Sequence, residues 1–254
     1  MLFELPTPAE FNDIADEFPC EELKISEDDF SVFLNPAEFR RFSDESSIGT
    51  WRLHLQNRIY QTRTSYVIMK FLINKGIPDE RWFAPGEKGG IKFYPDFEKE
   101  DYIRKAQFDY FADVYFLKLY SCLDSVGHLL NLCYDLQIAK PDFHRALNKL
   151  TGLRPELYFE LKKIKDSESF IAFKHLRHGI AHNELPGHVS GFVHKVSENE
   201  YTLGAGRYTP TREIIRVGGE AIKAFLEVLR PIRKQMASET TSILPASKKK
   251  KPGK

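Results

Sequence analysis

Cysteine is scarce in this chain, with three residues in 254: Cys20, Cys122 and Cys133. An odd number with no C-x-x-C spacing excludes a fully paired disulfide framework, and buried free thiols in a reducing cytosol are the expectation. An excess of one charge is lacking too. With 37 Lys and Arg against 36 Asp and Glu, the formal charge is +1. Nothing global draws the chain to nucleic acid, so any RNA contact must come from a local patch. No run approaches the roughly 18 apolar residues that span a bilayer, so no membrane partner is expected. The opening Met1-Leu2-Phe3-Glu4-Leu5-Pro6 has neither a basic region nor an apolar stretch, and no signal peptide is expected. Together these place the protein in the cytoplasm. There is no internal repeat. G-K-[ST] is absent, so Pro85-Gly86-Glu87-Lys88-Gly89-Gly90 is a loop or short hairpin and not a phosphate-binding loop.

Apolar residues make up 42% of the chain, with 20 Phe and 11 Tyr, enough for a substantial core. We divide the chain into an N-terminal appendage (1–49), a helical domain (50–237) and a disordered basic tail (238–254) with four lysines at 248–251. Within the appendage, 8–18 and 36–42 are read as short helical pieces and 29–34 as a short strand or extended arm. Thr50 is placed to cap a helix over 51–74 that Gly76 and Pro78 stop. Arg52, Arg58, Arg63 and Lys70 form a basic side, read first as a solvated face.

The longest helix is predicted over 100–137, where Phe108, Phe111, Tyr115, Leu119, Cys122, Val126, Leu129 and Cys133 recur every three or four residues. Further leucines make it apolar on more than one side, as in the middle of a bundle. Tyr120, Asp124, His128 and Asn131 fall on one polar line, and Gly127 beside them allows a neighbour to approach closely. Asp142 caps a helix to about Gly152, and Pro155 opens another to about Lys163. Asp166 or Ser167 caps a helix whose core side shows Phe170, Phe173, Leu176 and Ile180. A hairpin pairs 189–196 with 201–208. A last helix starts after Thr209-Pro210 and is bent by Pro231. The fold class is therefore all-α: an up-and-down helical bundle with a small β-hairpin before the last helix.

One stretch carries chemistry: Phe173-Lys174-His175-Leu176-Arg177-His178-Gly179-Ile180-Ala181-His182-Asn183-Glu184. A permanently charged guanidinium grips phosphoryl oxygens, and an imidazole gives or takes a proton near neutral pH. Arg177 and His182, with polar His178 directly after the arginine, resemble the R-x4-6-H motif of the HEPN superfamily (higher eukaryotes and prokaryotes nucleotide-binding). The predicted bundle from about 50 to 236 resembles the HEPN layout as well. The hairpin and the N-terminal arm depart from its minimal domain.

That resemblance implies a metal-independent endoribonuclease working by 2′-OH transesterification, in a toxin or antiviral defence setting. It also implies RNA as substrate, a homodimer with a composite active site, and an antitoxin or nucleotidyltransferase as partner. Arg177 and His182 become the catalytic pair. His178 and Asn183 stand as supporting or substrate-binding residues, as does Asp124 or Tyr120 from the polar line. Asp124 equally suits a structural ion pair inside the bundle. Set against the catalytic reading is a helix end where Arg177 makes an ion pair and His182 caps carbonyls. No cofactor is expected. A catalytically inactive RNA-binding or protein-interaction module is the second reading.

On a regular helix, five residues at about 100° each leave Arg177 and His182 about 140° apart. Either the helix loosens at Gly179, or a second chain completes the site. A metal-dependent hydrolase is the third reading. His178 and His182 have i, i+4 spacing, with His175 or Glu184 nearby and Asp124 and His128 on the long helix, but H-E-x-x-H is absent.

Overall fold

Helices dominate because apolar residues recur at three- and four-residue steps over long stretches in which proline is rare. A computed structural model describes residues 3–26, 29–30, 40–87, 90–182, 187, 193–198, 200–203 and 208–243. Among these the helices are α1 (Pro8–Ala15), α2 (Cys20–Leu23), α3 (Arg40–Lys75), α4 (Lys99–Cys133), α5 (Phe143–Leu153), α6 (Pro155–Lys165), α7 (Glu168–His182) and α8 (Thr211–Ile243). The strands are β1 (Phe83–Pro85), β2 (Ile91–Phe93), β3 (Val193–Ser197) and β4 (Glu200–Leu203). β1 pairs antiparallel with β2, and β3 with β4. The expected all-helical class, with a small hairpin before the last helix, holds. No helix among the described residues is long and apolar enough to cross a membrane.

Several boundaries differ from those read in the sequence. α4 ends at Cys133, with Asp135 and Gln137 beyond it at positive φ. α3 begins at Arg40, so Thr50 is no cap. It sits inside the helix and its hydroxyl donates to the Ser46 carbonyl at 3.0 Å, a back-bond that lets threonine occupy a helix interior. The division at 49/50 thus falls within one helix. α8 continues past Ser238 to Ile243 with Pro231 inside it, where the disordered tail was expected. Residues 244–254 lie outside the described residues. Asp29 and Phe30 are not strand, and 31–39 lie outside.

Contacts divide the chain into two units. The first comprises 1–22, 58–121 and 167–224; the second comprises 23–57, 122–166 and 225–254. α3, α4 and α8 each contribute a segment to both.

In the first unit the core contains the fully buried Phe108, Tyr115, Phe116 and Phe173. Burying a tyrosine hydroxyl requires a partner, and Tyr115 donates to the Gly218 carbonyl at 2.6 Å. α1 opens with a capping box: the Glu10 amide donates to the Thr7 hydroxyl oxygen while Glu10 accepts from the Thr7 amide at 2.9 Å. The start of α8 is set by buried Asp79. Its carboxylate accepts from the Tyr208 hydroxyl at 2.5 Å, the Thr211 amide at 2.8 Å and the Thr211 hydroxyl at 3.0 Å.

In the second unit, Asp142 caps α5 as expected by accepting from the Arg145 amide at 2.8 Å. Trp51 stacks on His128 with ring centroids 3.6 Å apart. Arg154 pairs with Glu239 at 2.7 Å, and Tyr134 donates to the same carboxylate at 3.4 Å. With buried Met236, these contacts explain why α8 outlasts Ser238. The Cys122 and Cys133 thiols are buried here, while Cys20, in the first unit, is half-buried. Burial pushes the Cys133 thiol up to about 12.

Candidate functional site

α7 presents two different faces. Ser167 opens it, its hydroxyl oxygen accepting from the Phe170 amide at 3.4 Å. Phe170, Phe173, Arg177 and Ile180 follow at steps of three, four and three, so they share one side. Phe170 and Phe173 are buried there, while Arg177 and Ile180 are half-buried. Ile171, His175 and His178, at steps of four and three, lie on the opposite, exposed side, and position 182 continues that line by four. Gly179 does not interrupt the helix, which runs to His182. The backbone therefore keeps Arg177 and His182 about 140° apart. The His182 side chain, Asn183 and Glu184 lie outside the described residues.

Arg177 is held from α4. Its guanidinium carbon stands 4.4 Å from the centre of the Tyr120 ring, and Tyr120 leans against Phe173 at 6.0 Å. A cation over a tyrosine face is attracted by about 0.5–2 kcal/mol. The Arg177 Nε is buried and has no hydrogen-bond partner among the described residues. An unmet donor of this kind costs about 1–3 kcal/mol, and a phosphate oxygen is the sort of acceptor that relieves it. The structure thus brings Tyr120 to Arg177. Asp124, one turn further along α4, is half-buried and belongs to the second unit.

The basic side expected on α3 is largely engaged within the first unit. Arg58 donates to the Ser121 carbonyl at 2.8 Å, Arg63 stands over the Phe11 ring at 5.9 Å, and Lys70 pairs with Glu17 at 3.3 Å. Among the described residues no group of three or more His, Cys, Asp or Glu side chains is arranged to hold a metal. His128, a metal candidate from its spacing, packs on Trp51 instead.

Beside α7 lies a narrow recess lined by Asp109, Asp113, Phe116, Ile180, Gly187 and Ile214. Burial pushes the Asp113 carboxyl up to about 6, the like charge of Asp109 adds to this, and Lys105 opposes it. Asp113 therefore holds its proton to a higher pH than an ordinary aspartate. It went unnoticed in the sequence because the polar line singled out there starts at Tyr120. The line that meets α7 runs upstream, Asp109, Asp113, Phe116 and Tyr120 at steps of four, three and four. The available signal was two carboxylates inside an apolar helical stripe.

A test follows from this carboxyl. Its folded value lies above the ordinary 3.8, so the protonated form stabilises the fold. That contribution is complete below about 3.8 and is lost as pH rises through about 6. Asp113→Asn, neutral at every pH, is expected to raise Tm at pH 8 by about 2–4 °C. This corresponds to roughly 1 kcal/mol once partial exposure is allowed for. The difference should vanish by pH 4 in thermal melts.

A family model described as HEPN_Cthe2314-like HEPN matches residues 51–232, a span that contains α4, α7 and both Arg177 and His182. No curated protein and no solved structure gives a significant match.

Proposed function

The chain belongs to the HEPN family, and from that membership we propose that it is a metal-independent endoribonuclease. The 2′-OH of a ribose attacks the adjacent phosphorus, the bond from phosphorus to O5′ breaks, and the products carry a 2′,3′-cyclic phosphate and a 5′-OH. Because the nucleophile is the substrate's own hydroxyl, the reaction needs no metal-bound water. Arg177 binds the phosphate and stabilises charge on its oxygens in the transition state. His182 takes the proton of the 2′-OH, and O5′ leaves with a proton from water. His178 and Asn183 contact the substrate or steady Arg177.

One observation carries this reading: the arginine of the motif is seated on Tyr120 with a buried donor that no described residue meets. The unbroken α7 adds that its backbone sets positions 177 and 182 about 140° apart around one helix, which favours a homodimer with a composite site. A toxin or antiviral defence role in the cytoplasm, with an antitoxin or nucleotidyltransferase partner, fits the same family. A catalytically inactive RNA-binding or protein-interaction module is the alternative.

The test is incubation of purified protein with single-stranded and structured RNA in EDTA, followed by analysis of the ends. Cleavage leaving 2′,3′-cyclic phosphate supports the proposal. Binding without cleavage moves the protein to the inactive module, and cleavage abolished by EDTA moves it to a metal-dependent hydrolase. Tyr120 offers a finer check. Tyr120→Leu is expected to lower kcat by roughly tenfold, the equivalent of losing about 1.4 kcal/mol of cation–π hold. Tyr120→Phe, which keeps the ring face, should remain within about twofold of wild type in the same assay.

A further inference from the structure

We propose that Lys105 is a positioning residue for the motif helix, holding the chain where it leaves α7; the inference rests on the ribonuclease reading of Arg177 and His182. The Lys105 side chain is only 7% exposed. Its ammonium lies 2.7 and 2.6 Å from the two Asp109 carboxylate oxygens and 2.6 Å from the Gly187 carbonyl oxygen. The charge also stands 5.4 Å from the centre of the Tyr208 ring, and Tyr208 is itself anchored on Asp79. Lys105 thus has acceptors to match its three donors.

Stability alone does not call for such a pair. Removing two charges from water costs several kcal/mol per ion, and apolar residues of similar volume are often as good or better. An apolar pair cannot hold a backbone carbonyl. The one held here belongs to Gly187, five residues after His182. The approach is close: a Cβ at Gly187 would lie 2.5 Å from Asp109 Oδ1 and 2.8 Å from Lys105 Nζ, so any larger residue must push the ion pair aside. Ile180, in the last turn of α7, lines the same recess as Asp109 and Gly187. Contacts on α4 therefore meet the motif both within its helix and just beyond it.

Lys105→Met alone takes the cation from the 13%-exposed Asp109 carboxylate and is a poor probe. The informative variant is Lys105→Met with Asp109→Leu, which removes both charges together and leaves the Gly187 carbonyl without its donor. It should melt within a few degrees of wild type. Its amides at 178–182 should exchange about tenfold faster, and kcat for RNA should fall about 10- to 100-fold with KM within about twofold. Gly187→Ala, which displaces the pair sterically, should give the same signature. Wild-type exchange in α7 of the double variant overturns the proposal. So does faster exchange with unchanged kcat, or exchange that merely tracks global unfolding. If wild-type protein cleaves no RNA, the ribonuclease reading fails, while the exchange measurement still decides whether Lys105 holds the chain.

Discussion

Arg177→Ala is expected to lower RNA cleavage by about 100- to 1,000-fold in kcat, the range seen when one preorganised stabiliser of transition-state charge is removed, in a protein that still folds. Arg177 is half-buried rather than part of the sealed core, and what it loses inside the fold is its seat on Tyr120, worth about 0.5–2 kcal/mol. The effect on Tm should therefore be a few degrees, while the effect on turnover is large. Arg177→Lys should rescue little, because an ammonium cannot grip two phosphate oxygens in one plane or spread over a ring as a guanidinium does. Steady-state cleavage beside thermal melts separates the two effects.

Gly127→Ala is expected to give the largest loss of stability. Within the second unit the helix passes so close to the start of α5 that a Cβ at Gly127 would lie 2.3 Å from the Asp142 carbonyl carbon and 2.4 Å from the Phe143 amide nitrogen. Both are backbone atoms, and the cap that Asp142 gives to Arg145 fixes them further. Relief requires moving α5 bodily. Overpacking of this kind costs about 3 kcal/mol or more, so Tm should fall by roughly 6–12 °C. A melt within 2 °C of wild type would show that α5 yields more easily than its cap suggests.

Gly127 also marks how far packing is legible in an amino-acid sequence. A glycine on a heavily apolar helix pointed to a close neighbour, and the neighbour is α5. The period of α4, the caps of α5 and α7, the buried Phe170 and Phe173, and the late hairpin were legible for the same reason: each rests on spacing or on a residue's local chemistry. The start of α3 was not, since Arg40 to Gly49 has no apolar period and helix is carried into it from its neighbours. The end of α8 was hidden too, because Arg154 and Glu239 are 85 residues apart. At the site, Arg177 and His182 stood out through their residue types and spacing, and Tyr120, named beside them from the polar line, packs against Arg177. Asp113 and Lys105 were not named, because a charged residue in a helical stripe reads as surface until the facing helix is known. The basic side of α3 was read as a solvated face, whereas Arg58, Arg63 and Lys70 each meet a neighbour within the first unit.

The most direct measurement is RNA cleavage in EDTA by dimers assembled from two inactive chains, one carrying Arg177→Ala and the other His182→Ala. A composite site that takes its arginine from one copy and its histidine from the other leaves one of two sites intact in the mixed dimer. Activity should then return to about half that of wild type per mixed dimer, with 2′,3′-cyclic phosphate ends. Mixed dimers that form but stay as inactive as either parent would contradict a site shared between copies.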